Sequence, residues 1–279
     1  MKKALLLLSL FLVIAFPALA KEAKETAYDR IMRTGTIRCG YVVFAPNLMK
    51  DANTGAFSGV TYDVLQEIAK RLSLKVEMTF ESDFGSMGED MKSGKADMLC
   101  TSGWAYIPNA RAHLVNSRPL FYNAVGAYVR KEDNRFSDVS ELNSPKVLVA
   151  GVDSTAASDL ARESFPKAKI LSMPKITPYE FNIINVIEKK ADVTFVDTDY
   201  AARFLAKQDD PKVLKNIAKD YPIRLFSSGF LLPMGEVELA QMINMSIEAL
   251  HNEGFIEKVL QKYEAAPGTL IRVAPGYKL

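Results

Sequence analysis

Two charged side chains of opposite sign, Arg111 and Asp197, stand at places where a small ligand could be held. A guanidinium is a planar fork that pairs with a carboxylate through two parallel hydrogen bonds, so Arg111 is a candidate anchor for an acid group. Asp197 follows the apolar run 193–196, and its carboxylate could pair with a cation if closure excluded water. Each residue also has a structural interpretation. Arg111 could be a solvated side chain at a helix start, and Asp197 the N-cap of the next helix.

Hydroxyl side chains supply a second candidate element, Ser154 and Thr155, where a helix is predicted to begin after a strand. Hydroxyls and free backbone N–H groups at a helix N-terminus form a site for an anion. Asp153 directly precedes them, and its negative charge would oppose a carboxylate. We therefore expect Asp153 to turn away from the site as an N-cap.

Aromatic side chains near two strand ends could recognise the shape of a ligand. Phe44 is followed by Pro46, which must end the strand nearby and favours a position at the rim over burial in the core. Trp104 and Tyr106 lie in one segment with Ser102, and their large rings could form a lid or a stacking surface. All four residues are candidate ligand contacts.

Metal binding and enzyme chemistry are not indicated. The two histidines, His113 and His251, are far apart, and neither a C-x-x-C nor an H-x-x-x-H spacing occurs. A G-x-S-x-G elbow is missing, and two histidines are too few for a convincing pair of nucleophile and base. Glu180 or Asp197 could act alone as an acid, but nothing in the sequence marks either as having a shifted pKa. The sequence predicts no metal, no cofactor and no catalytic residue.

The charge balance excludes one class of partner. Lys2 and Lys3 are the only charged residues among the first twenty, so without them the 35 basic side chains fall to 33 and equal the 33 acidic ones. A protein that binds a phosphate backbone needs a basic excess. Nucleic acid is therefore not an expected partner. Hydrophobic residues at 48% with 24% charged residues are typical of a globular protein.

The first twenty residues are typical of an export signal. A positive start at 1–3 precedes an apolar run at 4–16, and 17–20 ends in the small-x-small pattern that signal peptidase cuts, after about Ala20. A membrane anchor is the weaker alternative, because crossing a bilayer takes about 20 apolar residues and Pro17 interrupts the run. We expect the mature protein in the periplasm, where Cys39 and Cys100 meet an oxidising environment. The two cysteines could be buried strand residues, or a disulfide if their strands are neighbours.

The elements that must position these residues alternate between strands and helices. Such alternation predicts two α/β lobes, each a mostly parallel sheet flanked by helices. In such sheets a ligand lies beyond the carboxyl ends of the strands, which is where the candidate residues stand. Strands are predicted at 37–44, 74–80, 96–100, 146–151, 169–172 and 192–196, and helices at 60–72, 87–91, 155–165, 179–189, 199–206, 239–250 and 255–263.

Several short segments, in order and spacing, resemble a known family. They are an entry segment at 28–40, an F-S-G-V-T-Y-D element at 57–63, G-K-A-D and K-K-A-D steps ending at Asp97 and Asp192, and Arg111 followed by N-S-R-P at 116–119. The chain resembles the extracellular solute-binding proteins of family 3, the receptors of ABC importers for polar amino acids, from about residue 28 to 263.

The resemblance implies two lobes joined by two crossover strands, near 123–125 and 226–229. Lobe one would comprise 21–123 and 228–279, with the C-terminal helices, and lobe two 124–227.

The resemblance also implies roles for site residues. Arg111 would grip the ligand carboxylate with Ser154 and Thr155, Asp197 would receive its ammonium group, and Phe44 would stack on it. Two departures from the family pattern stand out. Asp153 replaces a glycine, and the segment between Asp97 and Arg111, which carries Ser102, Trp104 and Tyr106, is two residues longer than usual.

The implied function is a monomeric periplasmic receptor that captures a small carboxylate-bearing solute, an amino acid, between closing lobes and delivers it to the permease subunits of an ABC importer. Two alternatives remain open: an enzyme on the same scaffold, resembling exported dehydratases, and a periplasmic accessory or sensor protein that is not tied to a permease.

Overall fold

The computed structural model of the protein describes residues 25–103, 105, 110–153 and 155–273. The expected signal peptide and three candidate site residues, Trp104, Tyr106 and Ser154, lie outside the described residues. In the described part of the chain no helix is long and apolar enough to span a membrane.

Strands and helices alternate through most of the described chain. The strands are β1 (Thr36–Tyr41), β2 (Met49–Lys50), β3 (Phe57–Ser58), β4 (Lys75–Glu81), β5 (Met98–Leu99), β6 (Leu114–Asn116), β7 (Phe121–Arg130), β8 (Leu148–Val152), β9 (Lys169–Met173), β10 (Val193–Asp197), β11 (Leu214–Asn216), β12 (Arg224–Ser228), β13 (Leu231–Pro233) and β14 (Leu270–Ile271). The helices are α1 (Ala27–Thr34), α2 (Val60–Arg71), α3 (Met87–Lys92), α4 (Ala156–Ser164), α5 (Phe181–Ile187), α6 (Thr198–Leu205), α7 (Val237–Asn252) and α8 (Phe255–Tyr263), with a short 3-10 turn at Val139–Leu142.

The first sheet has the strand order β4-β1-β5-β13-β6. Helix α2 packs on it because Val60, Val64, Leu65 and Ile68 recur at helical spacing and form one buried face. Residues of α1, α7 and α8 complete the same core. A smaller core, which includes Met87 and Met91 of α3, forms separately.

The second sheet has the order β11-β7-β10-β8-β9. Apolar side chains alternate between two cores along its strands: Val193 and Phe195 of β10 pack in the core that includes residues of α4, and Val196 packs in the one that includes residues of α5 and α6. Both cores are fully closed to solvent at these positions. The two-sheet α/β architecture expected from the alternating elements is confirmed.

The sheets are more mixed than expected. Three strands in each are parallel, β4-β1-β5 and β10-β8-β9, but β13 pairs antiparallel with β5 and β6, and β7 pairs antiparallel with β10 and β11. Three of these strands, β6, β11 and β13, escaped the sequence patterns because they have three residues each. Segments this short adopt strand geometry because they pair with neighbouring strands, and they are too short to show a sequence pattern of their own.

Strand β7 connects the two halves of the molecule. Its C-terminal part pairs with β10, while its start pairs antiparallel with β12, with Phe226 opposite Asn123. The short β14 also pairs with β7, with Leu270 opposite Asn123. Near the end of the chain, Leu270 is also buried in the core of the first sheet. Three segments therefore run side by side where the resemblance implies two crossover strands.

Cys39 and Cys100 form a disulfide, with their Cα atoms 5.4 Å apart. The sequence left this pairing open because it depends on the order of strands. β1 and β5 are parallel neighbours, with Cys39 opposite Met98, and this register brings the two cysteines together. Both are also fully buried in the first core.

Removing this disulfide will lower the stability of the protein. The bond closes a loop with a sequence separation of 61 residues, and closing a loop of that length stabilises a protein by about 4 kcal/mol in the chain-entropy description. We expect the Cys39→Ala/Cys100→Ala variant to unfold at a clearly lower urea concentration than the oxidised protein. Reduced wild-type protein is the matched control and should resemble the variant. Equal midpoints for the oxidised and reduced wild type would contradict the prediction.

Candidate functional site

Phe44 is held in place by a short loop that is fastened to a helix. The backbone N–H groups of Phe44 and Leu48 each donate to the other residue's carbonyl, at 2.8 and 3.0 Å. Val60 N–H, at the start of α2, donates to Pro46 O at 3.0 Å. Gly59 has φ +116°, and a Cβ there would lie 2.6 Å from Asn47 O, so only glycine allows the loop to approach the helix this closely. Phe44 therefore projects from a rigid support, and its ring is half-buried.

Three rings meet around Phe44, and we call Phe44, Phe84, Tyr179 and Tyr200 the aromatic cluster. Phe44 stacks on Tyr200 with the ring centroids 5.7 Å apart and the planes 6° from parallel. Tyr179 stands edge-on to both, 4.9 Å from Tyr200 and 6.0 Å from Phe44. Phe84 is edge-on to Phe44 at 5.7 Å. Phe44 and Phe84 follow strands of the first sheet, whereas Tyr179 and Tyr200 follow strands of the second, so the cluster marks where the two halves face each other.

Asp197 lies beside this cluster at the end of β10. It occupies the N-cap position of α6, but its side chain makes no capping hydrogen bond. The residue is 6% exposed, and its Oδ1 atom is buried without a hydrogen-bond partner in the described part of the chain. The predicted N-cap position is thus confirmed, but the carboxylate does not cap the helix through a hydrogen bond.

The environment of Asp197 disfavours its charge. Burial raises the pKa of its carboxyl to about 7, and the nearby Asp199 adds to the rise, whereas the residue's own backbone N–H and, less strongly, the nearby Tyr179 hydroxyl oppose it. Asp199 is itself neutralised by Arg203, whose Nε donates to it at 2.6 Å. A buried carboxyl with a free oxygen is an acceptor suited to a cationic donor that arrives from outside the chain.

The tyrosines of the cluster remain protonated donors at neutral pH. Burial raises the pKa of Tyr200 to about 12, and the neighbouring Glu180 carboxylate contributes, with its Oε2 atom 3.5 Å from the Tyr200 hydroxyl. Burial and Asp197 raise the pKa of Tyr179 well above its usual value. The rings therefore present neutral π-faces and polar edges, next to carboxyl groups.

Arg111 is exposed and makes no hydrogen bond or ion pair with any described residue. Three residues before it are anchored by hydrogen bonds: the Asn116 side-chain amide donates to Gly103 O at 2.7 Å and its oxygen accepts from Ala105 N–H at 2.9 Å, and the Thr101 hydroxyl donates to Val42 O at 2.9 Å. Ser102 is 4% exposed within this segment. The guanidinium of Arg111 is thus uncommitted among the described residues.

The capping of the start of α4 differs from the one predicted from the sequence. Thr155 is its N-cap residue, but its hydroxyl donates to Val152 O at 2.6 Å instead of capping the helix. Asp153 is not the cap either. It accepts a hydrogen bond from the Ser172 hydroxyl and lies 3.5 Å from Arg162. These partners offset the negative charge that would have opposed an anion at this helix start.

Phe44 thus contacts Tyr179 and Tyr200, which lie close to Asp197. No described contact joins this group to Arg111, Ser102 or Thr155. Phe84, Tyr179 and Tyr200 were missed by sequence reasoning. Tyr179 and Tyr200 stand at the starts of predicted helices, where they resemble ordinary members of an apolar stripe. Their position just after strands of the second sheet was the available signal.

The raised pKa of Asp197 predicts a pH-dependent stability in the absence of ligand. Between its ordinary value of 3.8 and its folded value of about 7, the folded state binds more protons than the unfolded state. The stability contributed by the protonated carboxyl is therefore complete below about pH 4 and lost as the pH rises through 7. One pKa unit corresponds to about 1.4 kcal/mol, so we expect a loss of at least that size.

Urea unfolding at pH 5 and pH 8 measures this effect. The wild type should lose stability between the two, and Asp197→Asn should lose less because an amide does not titrate. Asp209→Asn, which changes an exposed aspartate, is the matched control and should follow the wild type. An Asp197→Asn variant with the wild-type pH dependence would disprove the assignment.

Comparisons with known proteins agree with the fold. Residues 37–266 match the family described as bacterial extracellular solute-binding proteins, family 3. The L-cystine-binding protein TcyA of Bacillus subtilis (strain 168) is 23% identical over 293 aligned positions, which cover 94% of this chain and 97% of that protein.

Two solved structures extend the comparison. The ancestral amino acid-binding protein AncCDT-1, a precursor of cyclohexadienyl dehydratase, is 25% identical with a TM-score of 0.70, covering 86% of this chain and all of that one. The unliganded, open L-cystine solute receptor of Neisseria gonorrhoeae is 20% identical with a TM-score of 0.61, covering 90% and 100%. The chain belongs to family 3 of the bacterial extracellular solute-binding proteins.

Proposed function

We propose that the protein is a periplasmic receptor that captures an amino acid between two closing lobes and delivers it to the permease of an ABC importer. One observation carries the proposal: a carboxyl group, Asp197, is buried beside rings from both halves with an oxygen that no described residue satisfies. Leaving a buried polar atom unpaired costs about 1–3 kcal/mol. An incoming ammonium group would remove that cost, so ligand binding and closure would be coupled.

The opposite end of the ligand would meet Arg111. Its guanidinium has no partner among the described residues, and a bidentate pair with a carboxylate is its strongest available interaction. In this proposal Ser154 and Thr155 assist in holding the carboxylate, Phe44 and Trp104 define the shape of the cleft, and Ser102 and Tyr106 are further contacts. The lobes would comprise 21–123 with 228–279, and 124–227, after removal of the signal at 1–20, in a monomer.

The relatives support the amino acid as ligand class. The Bacillus subtilis relative is named as an L-cystine-binding protein, and the ancestral structure as an amino acid-binding protein. L-cystine, like other α-amino acids, carries ammonium and carboxylate groups in pairs, each pair on one carbon. A site with a buried acceptor and an unpaired guanidinium has the charges to match both groups.

A second candidate function, catalysis on the same scaffold, is favoured by the pKa of about 7 at Asp197. A carboxyl that titrates near neutrality is suited to act as a general acid or base. The ancestral relative is described as a precursor of cyclohexadienyl dehydratase. Binding alone explains an unpaired acceptor equally well and needs no catalytic partner, so we place the receptor first.

The receptor function predicts measurable binding by isothermal titration calorimetry with a panel of L-amino acids. Asp197→Asn should weaken binding of the best ligand at least about tenfold, because a hydrogen bond to a charged group contributes about 1.5–3 kcal/mol. Arg111→Ala should weaken it by a similar factor. A failure of every amino acid to bind would overturn the proposal.

Two matched variants control for general damage to the protein. Asp209→Asn changes an exposed aspartate, and Arg118→Ala changes an exposed arginine whose partner is Glu248 on α7. Both should bind like the wild type. If Arg118→Ala and Arg111→Ala weakened binding equally, Arg111 would have no specific role in the site.

The enzyme alternative predicts turnover of prephenate or arogenate by the purified protein, abolished by Asp197→Asn. Formation of the aromatic product over time measures it directly. Under the receptor proposal we expect no turnover above that of the Asp197→Asn protein. Sustained turnover by the wild type alone would favour the enzyme.

A further inference from the structure

Hydrogen bonds connect helix α6 to the chain segment that follows α8. Asp199 Oδ1 accepts from Ala265 N–H and from the Thr269 hydroxyl, each at 2.6 Å. The Thr198 hydroxyl donates to Thr269 O at 3.2 Å, and the Arg203 guanidinium donates to Tyr263 O. We call this set of contacts the clasp. Its members are Thr198, Asp199, Arg203, Tyr263, Ala265 and Thr269.

The two sides of the clasp belong to different halves of the molecule. On one side, α6 packs on the second sheet, where Ala201 is fully buried in a core. On the other side, the C-terminal segment is fixed to the first half at both of its ends. Tyr263 packs against the core of the first sheet, and Leu270 is fully buried in it. Arg272 then pairs with Glu257 of α8. The clasp therefore joins two separately packed bodies.

The carboxylate of Asp199 depends on the other half for its hydrogen bonds. The side chain is 2% exposed, and Arg203 of its own helix binds only Oδ2. Both donors to Oδ1, Ala265 N–H and the Thr269 hydroxyl, come from the C-terminal segment. The Thr269 hydroxyl also lies 2.8 Å from Ala266 O, but the charged oxygen is the stronger acceptor. Separation of the halves at this place would leave Oδ1 without either donor, and a charged group that loses its partners is costly.

The clasp lies directly beside the candidate binding site. Asp199 is in the first turn of α6, two residues after Asp197 and next to Tyr200. Tyr200 stacks on Phe44 of the first half, so the first turn of α6 contacts that half at two places. The ring contact lies at the cleft, and the clasp lies at the C-terminal segment. An interaction that fixes this turn therefore also fixes the positions of Asp197 and Tyr200 relative to Phe44.

We propose that Asp199 is a positioning residue of the binding site. Through the clasp it holds the first turn of α6, with Asp197 and Tyr200, against the first half, and so favours the closed arrangement before a ligand arrives. Asp199 touches no ligand and acts through these two neighbours. A ligand that binds the closed arrangement gains affinity in proportion to the fraction of the protein that is already closed. The effect on affinity rests on the proposed function, whereas the effect on the arrangement of the halves does not.

Small-angle X-ray scattering of the ligand-free protein tests the clasp directly. The double variant Thr198→Val/Thr269→Val removes two hydroxyls of the clasp while keeping the size of both side chains. We expect it to have a larger radius of gyration than the wild type. Thr198→Ser/Thr269→Ser keeps the hydroxyls and should have the wild-type radius. Equal radii for the valine variant and the wild type would overturn the proposal.

A matched control removes a comparable hydrogen bond within one half. The Thr54 hydroxyl donates to Asp51 at 2.9 Å in an exposed turn of the first half, so Thr54→Val should keep the wild-type radius. Thermal unfolding checks that each variant is folded. The valine variant keeps Arg203 and Ala265 N–H on Asp199, so the test does not depend on the folding of a protein without that carboxylate. An increase in radius for Thr54→Val as large as that for the clasp variant would contradict a specific role of the clasp.

Calorimetry with the L-amino acids that bind the wild type measures the effect on affinity. Thr198→Val/Thr269→Val should weaken their binding at least about fivefold, because a smaller fraction of the protein is closed beforehand. A saturating amount of the same amino acid should return its radius of gyration to that of the bound wild type. Asp197→Asn, which changes a proposed ligand contact, should weaken binding without enlarging the ligand-free protein. Unchanged affinity in the valine variant would contradict the positioning role.

The two measurements separate this inference from the proposed function. If amino acids bind but the radius and the affinity of the valine variant equal those of the wild type, the clasp proposal fails and the receptor proposal stands. If the radius of the valine variant increases but no amino acid binds the wild type, the receptor proposal fails and the role of the clasp in holding the halves together stands.

Discussion

The buried carboxyl of Asp197 is the feature on which the account of this protein depends. Charged groups leave water only at considerable cost, and a carboxyl in an apolar setting responds by retaining its proton. Burial raises the pKa of Asp197 to about 7, and one of its oxygens has no hydrogen-bond partner in the described part of the chain. A protein that served only as a stable scaffold would gain from an apolar residue at this position. The arrangement is understandable if the missing partner is a ligand.

The fold explains how such a group comes to lie beside rings from the other half of the molecule. Parallel strands bring their carboxyl ends to one edge of a sheet, so Phe44 and Asp197 each stand at such an edge. β7 runs from one half into the other and is paired there with β12 and β14. Asp199, two residues after Asp197, accepts hydrogen bonds from Ala265 N–H and the Thr269 hydroxyl, so the start of α6 is also fastened to the C-terminal segment.

Part of the structure could be predicted because local patterns agree with the tertiary fold. Helix α2 was expected at 60–72 and is observed at Val60–Arg71, since its apolar residues recur at helical spacing. Strand β7 was not indicated by its own pattern, because it is buried along most of its length and lacks the polar alternation that marks a strand with one wet face. Only the family resemblance implied a strand near 123–125, within it. The disulfide could be named only as an option, because it depends on β1 and β5 being neighbours.

For the site, the rule that ligands bind at strand ends indicated Asp197 and Phe44. It could not indicate the stacking of Phe44 on Tyr200, because that contact depends on how two sheets far apart in sequence face each other.

The most direct measurement is a crystal structure of the protein purified together with whatever small molecule it retains from its native compartment. We expect a ligand between the two halves, with an ammonium nitrogen about 2.7–2.9 Å from an oxygen of Asp197, the usual length of a charge-assisted hydrogen bond. A ligand bound elsewhere, or one in the cleft that leaves the Asp197 carboxyl without a cationic partner, would contradict it.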